Sequence, residues 1–199
     1  MERQLKTIFP CVVQISEVED AATLNRDLLQ TIEEIRSVTP NARPDSWVSS
    51  VYTTLNSADR LHEMPEFATL RDVILREAND FADTLRLNHR QYPLRISDCW
   101  FNIYGPKDGQ EVHLHANNLI SGSYYVKAPP GSSGLMFHSP MDGEMLAPPY
   151  TEMNAFNSMA LEMPVEEGMI VLFRSCLRHS VRPSATDDER ISVSFNLAM

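Results

Sequence analysis

The chain has 199 residues, a formal net charge of −10, and ordinary shares of apolar (43%) and charged (22%) residues. This length predicts a single domain, and the composition excludes disorder over most of the chain. The acidic balance argues against a nucleic-acid-binding protein, since phosphate contacts need clustered cations. No apolar stretch approaches the roughly 18 residues that a membrane helix needs, so we expect no membrane partner.

The cysteine pattern indicates a reducing compartment. The chain has three cysteines, Cys11, Cys99 and Cys176, and no C-x-x-C pair. An odd number without such spacing favours free thiols over a disulfide framework, and we expect Cys176 to be a small buried side chain. The N-terminus shows no signal-peptide pattern. We therefore expect a cytoplasmic protein and leave a homodimer open.

The sequence of the first 95 residues predicts a support region with one strand and two helices. The β-branched run Ile8–Val18 predicts a strand. Asp20 can cap a helix that begins near Ala21, and Pro65 can open a second helix. Apolar residues recur in both helices at spacings of three and four, which predicts one buried face each. They are Leu24, Leu28, Ile32 and Ile35 in the first helix, and Leu70, Val73, Ile74, Phe81 and Leu85 in the second.

Residues 96–199 have a different pattern, in which short β-rich runs alternate with turn clusters. This spacing predicts an all-β sandwich or barrel. The predicted strands are Ile96–Tyr104, Val112–His115, Ile120–Lys127, Leu135–His138, Ser158–Leu161, Met169–Arg174 and Ile191–Leu197. The whole chain, 1–199, is thus expected to be one mainly β domain with helices (α+β), with its core in 96–199 supported by 1–95.

Three histidines in this second half are candidate metal ligands. His113 and His115 are two residues apart in a predicted strand, so their rings should share one face. Imidazole binds Fe, Zn, Cu and Ni well. On their own, these two histidines are equally consistent with metal ligands and with ordinary polar side chains that bind no metal. His179 follows a buried-strand pattern and is the third candidate, at the end of that strand.

Arg190 is a candidate anion-binding residue. It begins the run Arg190–Asn196, in which alternation places Arg190, Ser192 and Ser194 on one strand face. An arginine at the start of a strand is commonly a solvated edge residue. The alternative is a bidentate fork for a carboxylate, with the Ser192 hydroxyl completing the contact.

The order of motifs over residues 96–199 resembles the small 2-oxoglutarate/Fe(II) oxygenases, relatives of the prolyl hydroxylases. The matching motifs are Trp100-Phe101-Asn102, His113-x-His115, Ser121–Val126, Leu135–Phe137 and Arg190–Asn196. The resemblance implies a double-stranded β-helix (jelly roll) that uses Fe(II), 2-oxoglutarate and O2. It further implies that Arg190 and Ser192, with Tyr125, bind the cosubstrate.

One departure leaves the metal ligands open. The wider superfamily uses His-x-Asp/Glu and a distant histidine, whereas this chain has His-x-His. Either His113, His115 and His179 form a three-histidine site, or His115 and Asn117 take the His-x-Asp positions. We favour the first set, because an amide oxygen is a weaker ligand than imidazole.

Two classes of function follow. The first is an oxygenase that hydroxylates an unactivated C–H bond of a small molecule or an amino-acid side chain. The alternative is a non-catalytic or 2-oxoglutarate-independent, cupin-like metal-binding jelly roll. Residues 116–121 lack the glutamate that a cupin motif would place there, which favours the oxygenase.

Several other polar residues of the chain are given ordinary roles. His62 and His89 are expected at the surface, and His138 is unassigned. Asp142 and Glu144 are expected to be solvated loop carboxylates.

Overall fold

A computed structural model describes residues 1–141 and 148–199, so Asp142 and Glu144 lie outside the described residues. Two short 3-10 turns, Leu61–Glu63 and Pro65–Phe67, precede the second helix. The helices and strands, in chain order, are β1 (Val13–Glu17), α1 (Ala21–Val38), β2 (Tyr52–Thr53), α2 (Ala68–Thr84), β3 (Arg95–Tyr104), β4 (Gln110–His113), β5 (Ile120–Lys127), β6 (Leu135–His138), β7 (Ala160–Met163), β8 (Met169–Arg174), β9 (His179–Val181) and β10 (Arg190–Ala198).

The strands form two antiparallel sheets that face each other. The main sheet has the order β1-β8-β5-β10-β3-β2, and the smaller sheet has the order β4-β9-β6-β7. Consecutive strands alternate between the sheets in much of the second half of the chain. This arrangement is a jelly roll, and the predicted fold class, mainly β with helices, is confirmed.

Both helices cover the outer face of the main sheet. Leu28 and Ile32 of α1 and Ile74 of α2 are fully buried in the same core cluster as Phe101 of β3. Full burial of one such side chain stabilises the fold by about 1.5–3 kcal/mol, so these stripes hold the helices in place. Neither α-helix of the described residues has the length and apolar character needed to cross a bilayer.

The main sheet has two faces of different character, as β3 illustrates. Phe101 and Ile103 pack into the core beneath the helices. Trp100, Asn102 and Tyr104 point the other way and line a cavity between the two sheets. Because side chains alternate between the two faces of a strand, one set of β3 residues stabilises the core and the other set lines the cavity.

The N-terminal predictions need two corrections. The strand predicted over Ile8–Val18 covers only Val13–Glu17, because Pro10 has no N–H to donate and β8 pairs only with that shorter segment. Asp20 does precede α1, but its side chain caps no backbone N–H. It has a left-handed backbone with a φ of 52°, and its carboxylate accepts a hydrogen bond from the hydroxyl of Thr23 instead.

The sequence pattern missed β9 and misplaced two of the histidines. His179 does not end β8 but begins β9, a three-residue strand of the smaller sheet that is too short to show a periodic pattern. Strand β4 ends at His113, two residues earlier than predicted. His115 therefore lies in the turn after β4, where its backbone N–H donates to the carbonyl of Ser175 at 3.1 Å.

Candidate active site

His113, His115 and His179 come together at the inner side of the smaller sheet. His113 and His179 are direct partners in the antiparallel pairing of β4 with β9. Their ring centroids are 4.2 Å apart, and the ring of His115 lies 5.1 Å from that of His179. One nitrogen from each ring lies within 4.8 Å of the others, a spacing that allows all three to reach one metal ion.

Backbone hydrogen bonds fix the tautomers of two of these rings. Nδ1–H of His113 donates to the carbonyl of Glu111 at 2.7 Å, and Nδ1–H of His179 donates to that of Leu177 at 2.9 Å. A carbonyl only accepts, so each Nδ1 must carry the proton and each Nε2 keeps its lone pair. Metal-binding histidines typically show this bond on the nitrogen away from the metal.

The surroundings also keep the three rings uncharged. Burial lowers the pKa of His179 to about 3 and that of His115 to about 4, with the neighbouring His113 adding to both effects. Burial also lowers the pKa of His113. Neutral imidazole is the form that binds metal. Three neutral imidazoles, each with a nitrogen within reach of a common point, fit a divalent transition metal such as Fe(II).

A cavity of about 260 Å³ joins the histidines to Arg190. It lies between the two sheets, and its lining includes all three histidines together with residues of β3, β5 and β10. Arg190, Ser192 and Ser194 of β10 all face it, as strand alternation predicts. Tyr125 of β5 faces it too, opposite Ser192 in the strand register.

Arg190 is a buried cation rather than a solvated edge residue. Only 2% of it is exposed, and its guanidinium lies 4.3 Å from the ring centre of Tyr104 and 5.5 Å from that of Tyr125. Its Nη1 donates to the carbonyl of Ser133 at 2.8 Å, whereas its Nε has no partner among the described residues. These neighbours carry no negative charge. Because an unpaired buried charge is costly, the site favours an anionic ligand.

Unpaired polar atoms concentrate around the same cavity. Within the described part of the chain, the buried side-chain atoms without a hydrogen-bond partner belong to His62, Trp100, Asn102, Gln110, Ser132 and Arg190. Trp100, Asn102, Gln110 and Arg190 all line the cavity. Most buried polar groups in native proteins are paired, so this concentration indicates a cavity shaped for a polar ligand.

The other predicted residues have varied surroundings. Asn117 is exposed, with a left-handed φ of 65°, and His138 bonds through Nε2 to the hydroxyl of Ser180 at 2.9 Å. Neither is among the residues that line the cavity. Cys176 is exposed, so its predicted burial is wrong. The predicted exposure of His62 is also wrong, because 3-10 structure places it under β3 with 9% exposed.

The loop before β2 closes part of the cavity, and the sequence pattern did not reveal this role. Trp47 of this loop lines the cavity. The next residue, Val48, donates its backbone N–H to the carboxylate of Glu111 at 2.6 Å. Ser50 donates its backbone N–H to the carboxylate of Asp108 at 3.1 Å. Two acidic side chains, one within β4 and one just before it, therefore hold the loop, and only the fold reveals these contacts.

Comparison with known families agrees with this geometry. Residues 98–196 match the family described as "Putative 2OG-Fe(II) oxygenase". The matched segment runs from β3 to β10 and contains the three histidines and Arg190. The chain belongs to this family. The protein is therefore a 2-oxoglutarate-dependent Fe(II) oxygenase, and the family resemblance seen in its motifs is confirmed.

Solved structures share the fold of this oxygenase over nearly all of its length. A prolyl-4-hydroxylase from Pseudomonas putida is 16% identical, with 94% of this chain and 92% of the other covered and a TM-score of 0.60. HygX from Streptomyces hygroscopicus, solved with nickel, 2-oxoglutarate and hygromycin B bound, is 12% identical, with 94% and 83% covered and a TM-score of 0.65.

A third structure is a prolyl hydroxylase from Trichoplax adhaerens in complex with a peptide fragment of the hypoxia inducible factor oxygen degradation domain. It is 12% identical, with 93% of this chain and 82% of the other covered and a TM-score of 0.59. Among curated proteins, none matches this chain. At these identities the structures establish the shared jelly roll.

Proposed function

We propose that this oxygenase hydroxylates an unactivated C–H bond of a small molecule or an amino-acid side chain, with Fe(II) on His113, His115 and His179 and 2-oxoglutarate on Arg190. The observation that carries the proposal is the burial of Arg190, a cation without a described anionic partner, in the same cavity as three neutral histidines. One end of the cavity suits a carboxylate and the other suits a metal ion.

The three-histidine set is supported over the set that includes Asn117. His113 and His179 present Nε2 lone pairs from paired strands, and His115 joins them from the adjoining turn. Asn117 is exposed and does not line the cavity. A neutral ligand set leaves more positive charge on the metal than a set with a carboxylate, and this should favour a dianionic cosubstrate.

Arg190 would hold the carboxylate of 2-oxoglutarate that lies farther from the metal. Its planar fork suits a carboxylate, and burial strengthens the attraction because the local dielectric constant is low. The rings of Tyr104 and Tyr125 pack against the guanidinium and limit its movement. We propose Ser192 and Tyr125 as the neighbouring cosubstrate contacts, since both line the cavity beside Arg190.

Bound Fe(II) and 2-oxoglutarate supply the oxidising chemistry, in which O2 gives one oxygen atom to the substrate while the cosubstrate leaves as succinate and CO2. The chain itself orients the reactants and limits the access of water to the space between its two sheets. Residues 1–95 would support this core from outside the main sheet. The unpaired cysteines fit a cytoplasmic location.

The molecules bound in two of the related structures correspond to the two substrate classes of the proposal. The Trichoplax adhaerens enzyme holds a peptide, and HygX holds hygromycin B, a small molecule.

The alternative function, a cupin-like metal-binding protein, would not require a buried arginine in the same cavity as its metal site. The decisive experiment adds O2 to anaerobic protein loaded with Fe(II) and 2-oxoglutarate and measures succinate. Metal binding without cosubstrate binding or succinate would support the alternative.

A further inference from the structure

We propose that a chain of hydrogen bonds across the main sheet fixes the place of His115, and that Asn196, Ser121 and Ser175 are positioning residues of the metal site. This inference rests on the proposed function, because it takes His115 as a ligand of the metal.

His115 is held differently from the other two histidines. His113 and His179 lie in paired strands, and backbone carbonyls accept the Nδ1–H of both rings. His115 lies in the turn after β4, where its backbone N–H donates to the carbonyl of Ser175 at 3.1 Å. The N–H of Ser175 donates in turn to the carbonyl of Leu119 at 3.2 Å. Ser175 therefore holds the turn that carries His115 at two points.

The side chain of Ser175 connects this turn to the main sheet. Its Oγ lies 2.8 Å from Oγ of Ser121, and the hydroxyl of Ser121 donates to Oδ1 of Asn196 at 2.7 Å. Nδ2 of Asn196 donates to the carboxylate of Asp98 at 3.2 Å. In the strand register Asn196 lies opposite Asp98 on one side and Ser121 on the other. The chain of hydrogen bonds thus runs straight across β3, β10 and β5 to the end of β8.

The donors of this chain all point the same way. A serine hydroxyl has one proton, and that of Ser121 is given to Asn196, so the hydroxyl of Ser175 must donate to Ser121. Hydrogen bonds in such a series strengthen one another. Asn196 is 4% exposed, and Ser121 and Ser175 are each 1% exposed, so water cannot readily replace a missing link. Loss of one link should therefore loosen Ser175.

The chain lies away from the proposed cosubstrate contacts. Asn196 is six residues beyond Arg190 on β10, which corresponds to about 20 Å along the strand. In the described structure Asn196, Ser121 and Ser175 are not among the residues that line the cavity. Both Oδ1 and Nδ2 of Asn196 already have partners within the protein. The route from these residues to the metal site is the backbone bond between Ser175 and His115.

Amide hydrogen exchange of His115 tests the positioning role without any metal. Ser175→Ala removes the hydroxyl but keeps the carbonyl that accepts from His115, and Ser121→Ala interrupts the chain one step farther away. In 15N-labelled, metal-free protein, each substitution should accelerate exchange of the His115 amide about fivefold or more, the effect of weakening one hydrogen bond.

Tyr124→Phe is the matched control for a general loss of stability. The hydroxyl of Tyr124, on the other face of β5, donates to Oδ1 of Asn25 of α1 at 2.6 Å, and both residues are buried. Its removal should lower the free energy of unfolding, as the serine substitutions do. It should leave exchange of the His115 amide unchanged.

Co(II) affinity is the second measurement, followed by the visible absorption of the bound ion. It should fall about tenfold in Ser175→Ala and Ser121→Ala, the lower end of the effect of removing a ligand's hydrogen-bond partner, and stay unchanged in Tyr124→Phe. In His115→Ala protein, adding Ser175→Ala should cause no further loss, because both substitutions act through the same side chain.

Unchanged exchange at His115 in both serine variants would overturn the proposal, as would faster exchange with unchanged Co(II) affinity. A further loss of Co(II) affinity on adding Ser175→Ala to His115→Ala would also overturn it, since the effect would then not pass through His115. If His115→Ala alone left the Co(II) affinity intact, the proposed ligand set would be wrong instead.

Discussion

His113 and His179 face each other across the pairing of β4 with β9, and each ring donates its Nδ1–H to the carbonyl two residues before it. The backbone of two neighbouring strands thus orients both Nε2 atoms before any metal binds. Ligands that are already in place lose little conformational entropy on binding, so the smaller sheet serves as a preorganised support for the metal.

Replacing any one of His113, His115 and His179 by alanine should sharply lower Fe(II) occupancy. Removing a ligand should cost more than the roughly 10- to 100-fold loss that follows removal of a ligand's hydrogen-bond partner. Metal analysis after anaerobic loading and gel filtration measures the Fe(II) occupancy of each variant. Asn117→Ala is the matched control and should keep its iron. Full occupancy in His113→Ala together with loss in Asn117→Ala would favour the set containing Asn117.

Arg190→Ala should weaken 2-oxoglutarate binding at least about 30-fold and leave Fe(II) binding nearly intact. Truncating one member of a buried charge pair typically costs about 2–5 kcal/mol, which corresponds to a loss of affinity of about 30-fold or more. Arg190→Lys should recover only part of the affinity, since a point charge cannot reproduce the planar fork. Anaerobic titration calorimetry of the Fe(II) protein measures the affinity.

Arg182, an exposed arginine on the residue after β9, provides the control for that experiment. Arg182→Ala removes the same charge from the surface and should leave 2-oxoglutarate affinity within about threefold of the original. If Arg190→Ala behaved like Arg182→Ala, the assignment of the cosubstrate site would be wrong.

Gly122→Ala should destabilise the fold. A Cβ built at Gly122 of β5 would lie 2.5 Å from the ring of Phe195 and 2.5 Å from the carbonyl oxygen of Val171, both in neighbouring strands. Overpacking of this kind costs about 1–3 kcal/mol. Urea unfolding followed by circular dichroism measures the free energy of unfolding. Gly105→Ala, where the nearest atom is a side-chain oxygen at 3.3 Å, should cost clearly less.

The three thiols should react with iodoacetamide at very different rates. Cys99 is 1% exposed, and burial raises its pKa to about 12, so the native protein at pH 8 holds almost none of its reactive thiolate. Cys11 and Cys176 are exposed and should be alkylated first. Mass spectrometry should show two modified sites in the native protein and three after denaturation. Rapid native labelling of Cys99 would contradict its burial.

Much of the jelly roll could be predicted from local pattern alone. Strands β5, β6 and β8 begin and end where the pattern placed them, because turn residues bound each of these runs. Strand β9 was missed because three residues carry no recognisable period. The turn after β4 was missed for a related reason, since the pairing of β4 with β9 decides where β4 ends.

The site could be predicted less completely than the fold. The histidines stood out because their spacing is unusual, although their convergence depends on the two sheets. The burial of Arg190 could not be read from the sequence, since an arginine at the start of a strand is compatible with a solvated edge and with a buried fork. Only the rings of Tyr104 and Tyr125, from two other strands, decide between them.

Glu111 links the mouth of the cavity to the metal site through one residue. Its carboxylate accepts the backbone N–H of Val48, beside Trp47, and its carbonyl accepts Nδ1–H of His113. A molecule that pushes the Trp47 loop outward on entry therefore strains the residue that orients a proposed iron ligand. The Trp47 loop and the ring of His113 are thus connected through Glu111 alone, so a shift of the loop would reach a proposed iron ligand without the movement of a domain.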